Sequence, residues 1–190
     1  MQEVENPTIP PEVPQIDHAK LSPCLLHKDI DLSHFDCGDD DLNSFIKDDA
    51  LNYQEQNLSQ TTCVIYEGKM IGYFTLACDA LSLEKKIKQS IFSGSKQIRS
   101  YPALKIARMA FDKKYQRKRI GTVFLEAIKG HAWLLNKQGV GCRFITVDAY
   151  SDKVAFYIKN GFEYNIKKDS SKSLEESERK TISLRLNILK

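Results

Sequence analysis

A run of apolar residues carrying two cations, Ala103-Leu104-Lys105-Ile106-Ala107-Arg108-Met109-Ala110-Phe111, is followed by Gln116-Arg117-Lys118-Arg119-Ile120-Gly121-Thr122 and then by a strongly amphipathic segment. This order predicts a strand, a basic turn with a glycine, and a helix. Such a junction presents unpaired backbone N–H groups at the positive end of a helix dipole, where a phosphate is favoured. The cations and the Gln116 amide would also attract a diphosphate in the loop itself. A solvated basic loop ahead of a surface helix explains the stretch about as well, and a second element has to decide.

That element is Ala155-Phe156-Tyr157-Ile158-Lys159-Asn160-Gly161-Phe162, after a strand-like run Arg143-Phe144-Ile145-Thr146-Val147. Together the two motifs resemble the GCN5-related N-acetyltransferase (GNAT) superfamily. Its acetyl-CoA signature is Q/R-x-x-G-x-G/A after the fourth strand, and its later motif is F/L-Y-x-x-x-G-F after the fifth. The resemblance spans roughly residues 21–166, with Gln116, Gly121 and the Tyr157-to-Phe162 motif in register. Arg119 stands where the family usually has its first glycine. Its side chain would either crowd the pyrophosphate or swing out and pair with it. Because the family's loop contacts are largely backbone amides, cofactor binding is expected to survive.

The resemblance also assigns roles. An amine attacks the thioester carbonyl of acetyl-CoA, and holding the two substrates in line supplies much of the acceleration, so no metal is needed. The fourth and fifth strands splay, and the pantetheine slots between them. Carried over by position, the backbones of Met109 and Phe111 hold the acetyl and pantetheine groups. Gln116, Arg117, Lys118, Arg119, Ile120, Gly121 and Thr122 form the pyrophosphate loop. Tyr157 protonates the departing sulfur, a general-acid role open to a phenol within hydrogen-bond reach; the competing explanation is an aromatic packed beside Phe156 and Phe162. The base is not visible. Asp79 is a weak candidate, and a water chain serves equally well.

The amino-terminal half narrows the group. Phe35-Asp36-Cys37-Gly38, Leu42-Asn43-Ser44-Phe45-Ile46, Ala50, Gln54 and Gly72-Tyr73-Phe74-Thr75-Leu76 resemble the GNAT toxins of toxin–antitoxin pairs, the TacT-like group. That group shows F-x-C-G, L-x-x-F-L and G-Y-Y-T-L at these places. The resemblance implies acetylation of the free α-amine of aminoacyl-tRNA, and neutralisation by a DNA-binding antitoxin protein. Expected partners are therefore acetyl-CoA, aminoacyl-tRNA and an antitoxin, with a second copy of the chain carried as a candidate and no membrane. A stand-alone acetyltransferase for a small-molecule or protein amine is the alternative. A non-catalytic CoA-binding module is a further one. The pattern G-x-x-x-x-G-K-[ST] is absent, which excludes a P-loop nucleotidase.

Charge bears on the acceptor. Residues 1–84 carry 4 Lys/Arg against 16 Asp/Glu, whereas residues 85–119 carry 12 Lys/Arg against Asp112 alone. Such a basic block would steer CoA and suit a tRNA backbone, with Lys85, Lys86, Lys88, Lys96 and Arg99 as weak acceptor-binding candidates. The bland reading makes these lysines the wet face of a helix. A nucleic-acid-binding protein without activity also fits the charge, but the Tyr157-to-Phe162 motif argues against it.

At 190 residues with 42% hydrophobic content, the chain can bury one core of ordinary size. The five cysteines are odd in number and widely spaced, with no C-x-x-C pair, and read as buried reduced thiols. The four histidines show no metal-ligand spacing. No apolar run approaches the ~20 residues needed to span a bilayer, and no basic-then-apolar signal pattern opens the chain, so a cytoplasmic location is expected.

Residues 1–19 hold four of the six prolines and read as an irregular arm, leaving 20–190 as the acetyltransferase domain. Periodicity predicts a strand over 21–27, a helix opened by Asp39–Asp41, and a hairpin over 62–76 turning at Glu67-Gly68-Lys69. A short helix is expected over 81–91. The helix after the basic loop should bury Ile120, Val123, Phe124, Ala127, Ile128, Leu134 and Leu135. A helix over 152–160 ends at Gly161, and a closing strand covers 180–189. The fold class is α/β (α+β): a mixed, mostly antiparallel sheet of six to seven strands with helices on both faces.

Overall fold

The computed structural model describes residues 16–92, 98–165 and 181–189. The elements are β1 (Ser22–Leu25), α1 (Asp40–Ser44), a π-helical turn (Phe45–Asp49), α2 (Ala50–Glu55), β2 (Gln60–Tyr66), β3 (Lys69–Leu81) and α3 (Lys85–Ile91). They continue with β4 (Tyr101–Phe111), α4 (Ile120–Lys137), β5 (Phe144–Tyr150), α5 (Val154–Lys159), β6 (Glu163–Tyr164) and β7 (Thr181–Asn187). The seven strands form one sheet in the order β1-β2-β3-β4-β5-β7-β6. β4 and β5 run parallel, joined by the α4 crossover, while the other neighbours pair antiparallel. This is the expected fold class, with the upper of the two strand numbers.

Local chemistry accounts for the elements. Glu67 and Gly68 both have positive φ (49° and 75°), the backbone that a two-residue hairpin turn requires between Tyr66 and Lys69. The Asp39 side chain caps α1 by accepting from Leu42 N, and Asp40 and Asp41 complement the dipole. Gly161 ends α5 at φ 89°.

Alternation along the strands sorts the core onto two faces. Phe74, Ile106, Ile145, Val147 and Leu184 pack with Ile120, Phe124 and Ile128 of α4 and with Tyr157 of α5. On the other face, Tyr73, Cys63 and Ala110 pack under Phe35, Phe45, Ile46 and Ala50 of the α1–α2 segment. Tyr73 is fully buried and donates its hydroxyl to Leu42 O at 2.7 Å, so its one polar atom is satisfied. Leu81, Leu83, Tyr101 and Phe144 form a third cluster under α3.

Four expectations are corrected. β3 continues to Leu81, because β4 offers it partners as far as Tyr101, and α3 consequently starts at Lys85. α4 buries Ile120, Phe124, Leu125, Ile128 and Ala132, while Val123 and Leu134 stay 36% and 44% exposed and Ala127 faces solvent. The i, i+4 row from Ile120 to Ala132 takes the sheet, and the stripe is rotated toward Leu125. β6 is too short to show as a pattern; the buried Arg185 of β7 holds it by bonding Tyr164 O and Glu163. Cys37, Cys63 and Cys142 are buried free thiols, but Cys78 is exposed. Most of the proline-rich arm lies outside the described residues. Its end forms a turn at His18–Lys20, and His18 Nε2 lies 3.2 Å from Lys118 O.

Candidate active site

The sheet parts where β4 leaves β5. The parallel pairing covers only Ala103 to Ile106 opposite Phe144 to Val147, while both strands run on, to Phe111 and to Tyr150. The cause is a bulge. Thr75 pairs with Arg108 and Leu76 with Ile106, which leaves Ala107 as an extra residue that bends β4 away from its neighbour. Beyond the bulge, Asp112 N donates to Ile71 O. Alternate residues therefore face β3, and the peptide groups of Met109 and Phe111 face the gap. Phe111 O already accepts from Gln116 Nε2 at 2.8 Å, so Phe111 offers the gap its N–H, whereas Met109 offers both groups.

The basic loop is bound to the first half of the chain. Gln116 Nε2 also donates to Cys37 O at 2.8 Å, Lys113 Nζ pairs with the Asp36 carboxylate at 2.8 Å, and buried Asp112 accepts from Asp36 N and Lys114 N. Hydrogen bonds from Lys113, Asn43 and Gly38 N hold the Asp36 carboxyl down at about 2. The Phe35-to-Gly38 motif thus braces the loop. Gln116 spends its side-chain donor on this brace.

Arg117 and Arg119 both stand in the left-handed region at φ 61°. That conformation explains why a glycine suits position 119, and it turns successive peptides so that their N–H groups point outward at the start of α4. Among the described residues, no acceptor takes the N–H groups of residues 117–121. Lys118 Nζ rests 5.5 Å from the Tyr115 ring centre. Packing alone favours a glycine at 121: a Cβ there would lie 3.0 Å from Phe156 Cζ. Thr122 follows within the first turn, its N–H bonded to Arg119 O. Arg119→Gly relieves about 1 kcal/mol of left-handed strain but adds a comparable unfolded-chain entropy. We expect Tm to move by only a few degrees and acetyl-CoA affinity to fall several-fold, more at low salt, by calorimetry. Unchanged or tighter binding would show that the guanidinium crowds the diphosphate.

Tyr157 sits on α5 under the parted strands, 6% exposed, between the rings of Phe156 and Phe162 at 5.1 and 5.2 Å. Burial alone pushes its phenol well above the ordinary tyrosine range, so the group stays protonated at any physiological pH. A general acid needs that state. Packing fixes the ring, and desolvation keeps its proton.

Asp79 lies elsewhere. It pairs with Ala103 at the closed end of the sheet, and its carboxylate accepts from Thr146 Oγ1 at 2.5 Å. The basic block also divides. Lys85, Lys86 and Lys88 lie on α3 and Arg99 just after it, beside Tyr101, while Arg117 to Arg119 follow the opposite end of β4. An 11-residue strand separates the two groups, a length of roughly 35 Å. Lys85, Lys86 and Arg99 are exposed, but Lys88 bonds Ile98 O and rests 5.8 Å from the Tyr101 ring centre. Lys96 lies outside the described residues.

Sequence reasoning quoted Gly72 only within a motif and gave it no role of its own. A Cβ there would lie 2.3 Å from Phe111 Cδ1, so this glycine seats the Phe111 ring beside the gap. Its place before Tyr73 in a strand was the available signal.

A sheet opened at this step, with a helix N-terminus beneath it, belongs to an acyltransferase. Comparison with known proteins agrees: residues 59–164, more than half of the chain, match the acetyltransferase (GNAT) domain family. The chain belongs to that family, whose acyl donor is acetyl-CoA. No curated protein matches it in sequence. Among solved structures it is similar to a Tyr-to-Phe variant of KacT, with a TM-score of 0.72 and 20% identity over 90% of this chain and 96% of the other. AtaT complexed with acetyl-methionyl-tRNAfMet gives 0.68 and 21% over 88% and 94%. AtaTR bound with AcCoA gives 0.69 and 20% over 90% and 95%. Among the described residues, no helix is long and apolar enough to cross a membrane.

Proposed function

We propose that this acetyltransferase transfers the acetyl group of acetyl-CoA to the α-amine of aminoacyl-tRNA. The supporting observation is the likeness, over nearly the whole of both chains, to AtaT complexed with acetyl-methionyl-tRNAfMet. AtaT is also known bound to the C-terminus of the antitoxin AtaR, and by the same likeness an antitoxin protein is a proposed partner here.

The residues fit the donor. The free N–H groups of residues 117–121 receive its diphosphate, and the Met109 peptide and Phe111 N–H receive pantetheine and acetyl oxygens. The thioester supplies an activated carbonyl. Met109 and the loop hold it fixed, so the acceptor meets an oriented electrophile. As the bond from the amine nitrogen to the carbonyl carbon forms and the carbon–sulfur bond breaks, Tyr157 gives its hydroxyl proton to the sulfur, and the proton the amine sheds passes through solvent and restores the phenol.

Mass spectrometry of charged tRNA after incubation with the protein and acetyl-CoA tests the acceptor. Acetylated α-amine is the expected product; acetylation of small or protein amines alone would move the function to a stand-alone acetyltransferase. A second variant tests the surface. Changing Lys85, Lys86, Lys96 and Arg99 to Gln should leave acetyl-CoA binding intact and weaken tRNA binding, with the salt slope shallower by about one unit per lost phosphate contact. An unchanged slope would remove α3 from tRNA recognition.

A further inference from the structure

The bulge that opens the sheet also makes a cavity on the other face, under the π-helical turn and α2. It has a volume of about 140 Å³. Thr75 and Ala77 of β3 and Ala107 and Arg108 of β4 form its floor, because the extra residue sets Ala107 and Arg108 side by side. Phe45, Tyr53 and Leu58 form apolar walls.

Two polar atoms in this lining are buried with no partner among the described residues: Ser59 Oγ and Arg108 Nε. Ser59 is 7% exposed. The neighbouring groups are otherwise satisfied. Arg108 Nη1 donates to Ala107 O at 2.9 Å, and the guanidinium carbon sits 5.1 Å from the Phe45 ring centre. The hydroxyls of Thr61 and Thr75 bond each other at 2.8 Å. A buried donor left unpaired costs about 1–3 kcal/mol, so two of them in one hollow point to something that comes and goes.

Place and size identify the visitor. Arg108 adjoins Met109, so the cavity lies one residue along β4 from the peptide proposed to hold the acetyl group. Its volume suits one side chain and is too small for a peptide segment. Arg108 Nε can only donate, which calls for an accepting atom on the guest. Among the described residues no carboxylate lines the hollow, and the guanidinium repels a cation.

We propose that this cavity receives the side chain of the acceptor amino acid, and that it selects a side chain of medium length that bears a hydrogen-bond acceptor and no positive charge. Arg108 and Ser59 supply two donors to that atom, and Phe45, Tyr53 and Leu58 cover the apolar stem. The proposal rests on acetylation of an α-amine but not on the tRNA that carries it.

The test compares the parent with Ala77→Leu, which fills the floor, on tRNAs charged with Gln, Met, Lys or Gly. The parent should prefer Gln and Met over Lys by tenfold or more. The variant should raise KM for the Gln and Met substrates about tenfold while leaving KM for acetyl-CoA and turnover of the Gly substrate unchanged. Equal loss on all four, or on none, overturns the pocket. The same panel is run with free amino-acid amides: selectivity kept on amides without activity on tRNA would retain the pocket and sink the tRNA reading. Should no acceptor turn over, the methyl resonance of Ala107 followed during amide titration decides. Shifts with the glutamine amide that Ala77→Leu abolishes support the proposal, and their absence overturns it.

Discussion

Tyr157→Phe should cut turnover by roughly 10²-fold while acetyl-CoA still binds with parental affinity. The substitution keeps the ring between Phe156 and Phe162 and removes only the hydroxyl, for which the structure shows no role in the core. Stability should hardly change, so a loss of activity reports the proton. The pH dependence follows from burial. An exposed tyrosine loses its proton near 10, whereas the desolvated Tyr157 does so only at higher pH. Between those values the folded protein binds more protons than the unfolded one, so stability falls as pH rises above about 10. Below that window the acid is fully charged with its proton, and no alkaline decline in kcat between pH 8 and 10 should trace to it. Parental turnover in Tyr157→Phe would leave the residue a packing aromatic and nothing more.

The sequence made the fold legible wherever one residue pattern had one physical cause. Glu67-Gly68 had to be a tight turn, and Ile182, Leu184, Leu186 and Ile188 had to alternate across a sheet. The gap was legible only through resemblance. Its cause, a bulge at Ala107, leaves no signature in an apolar run, because a strand with one extra residue reads like a strand without it. The basic block was legible as two groups by role, but the distance between them was not. Lys85 and Arg119 lie in one basic stretch of sequence, but the 11-residue strand β4 between them carries them to opposite ends of the sheet. Gln116 shows the limit of motif reading: the motif names the residue, while its side chain holds Cys37 O and Phe111 O. Ser59 and Arg108 were invisible for want of any local pattern, since only the folded sheet brings them to one hollow.

Gly121→Glu should abolish acetyl-CoA binding, and its two controls separate the reasons. Any Cβ at this position meets the Phe156 ring at 3.0 and 3.3 Å and Phe111 Cε2 at 3.7 Å. Gly121→Ala therefore asks the end of one ring to shift by a few tenths of an ångström, and should weaken binding only a few-fold. Because Phe156 is stacked edge-on against Tyr157, this small shift should reach turnover before it reaches affinity. Gly121→Gln adds bulk at the mouth of the N–H cradle without charge. Gly121→Glu adds a carboxylate that repels the diphosphate and can itself accept from the N–H groups of residues 117–121. A single like charge about 5 Å away, at an effective dielectric near 20, costs roughly 3 kcal/mol, which is more than 10²-fold in affinity. Calorimetry with acetyl-CoA should thus order the variants parent, Ala, Gln and Glu, with the widest step between the last two. A Gln variant as poor as the Glu variant would make the effect steric. Micromolar binding retained by Gly121→Glu would place the donor away from the α4 N-terminus, and Tyr157 would then lose its sulfur.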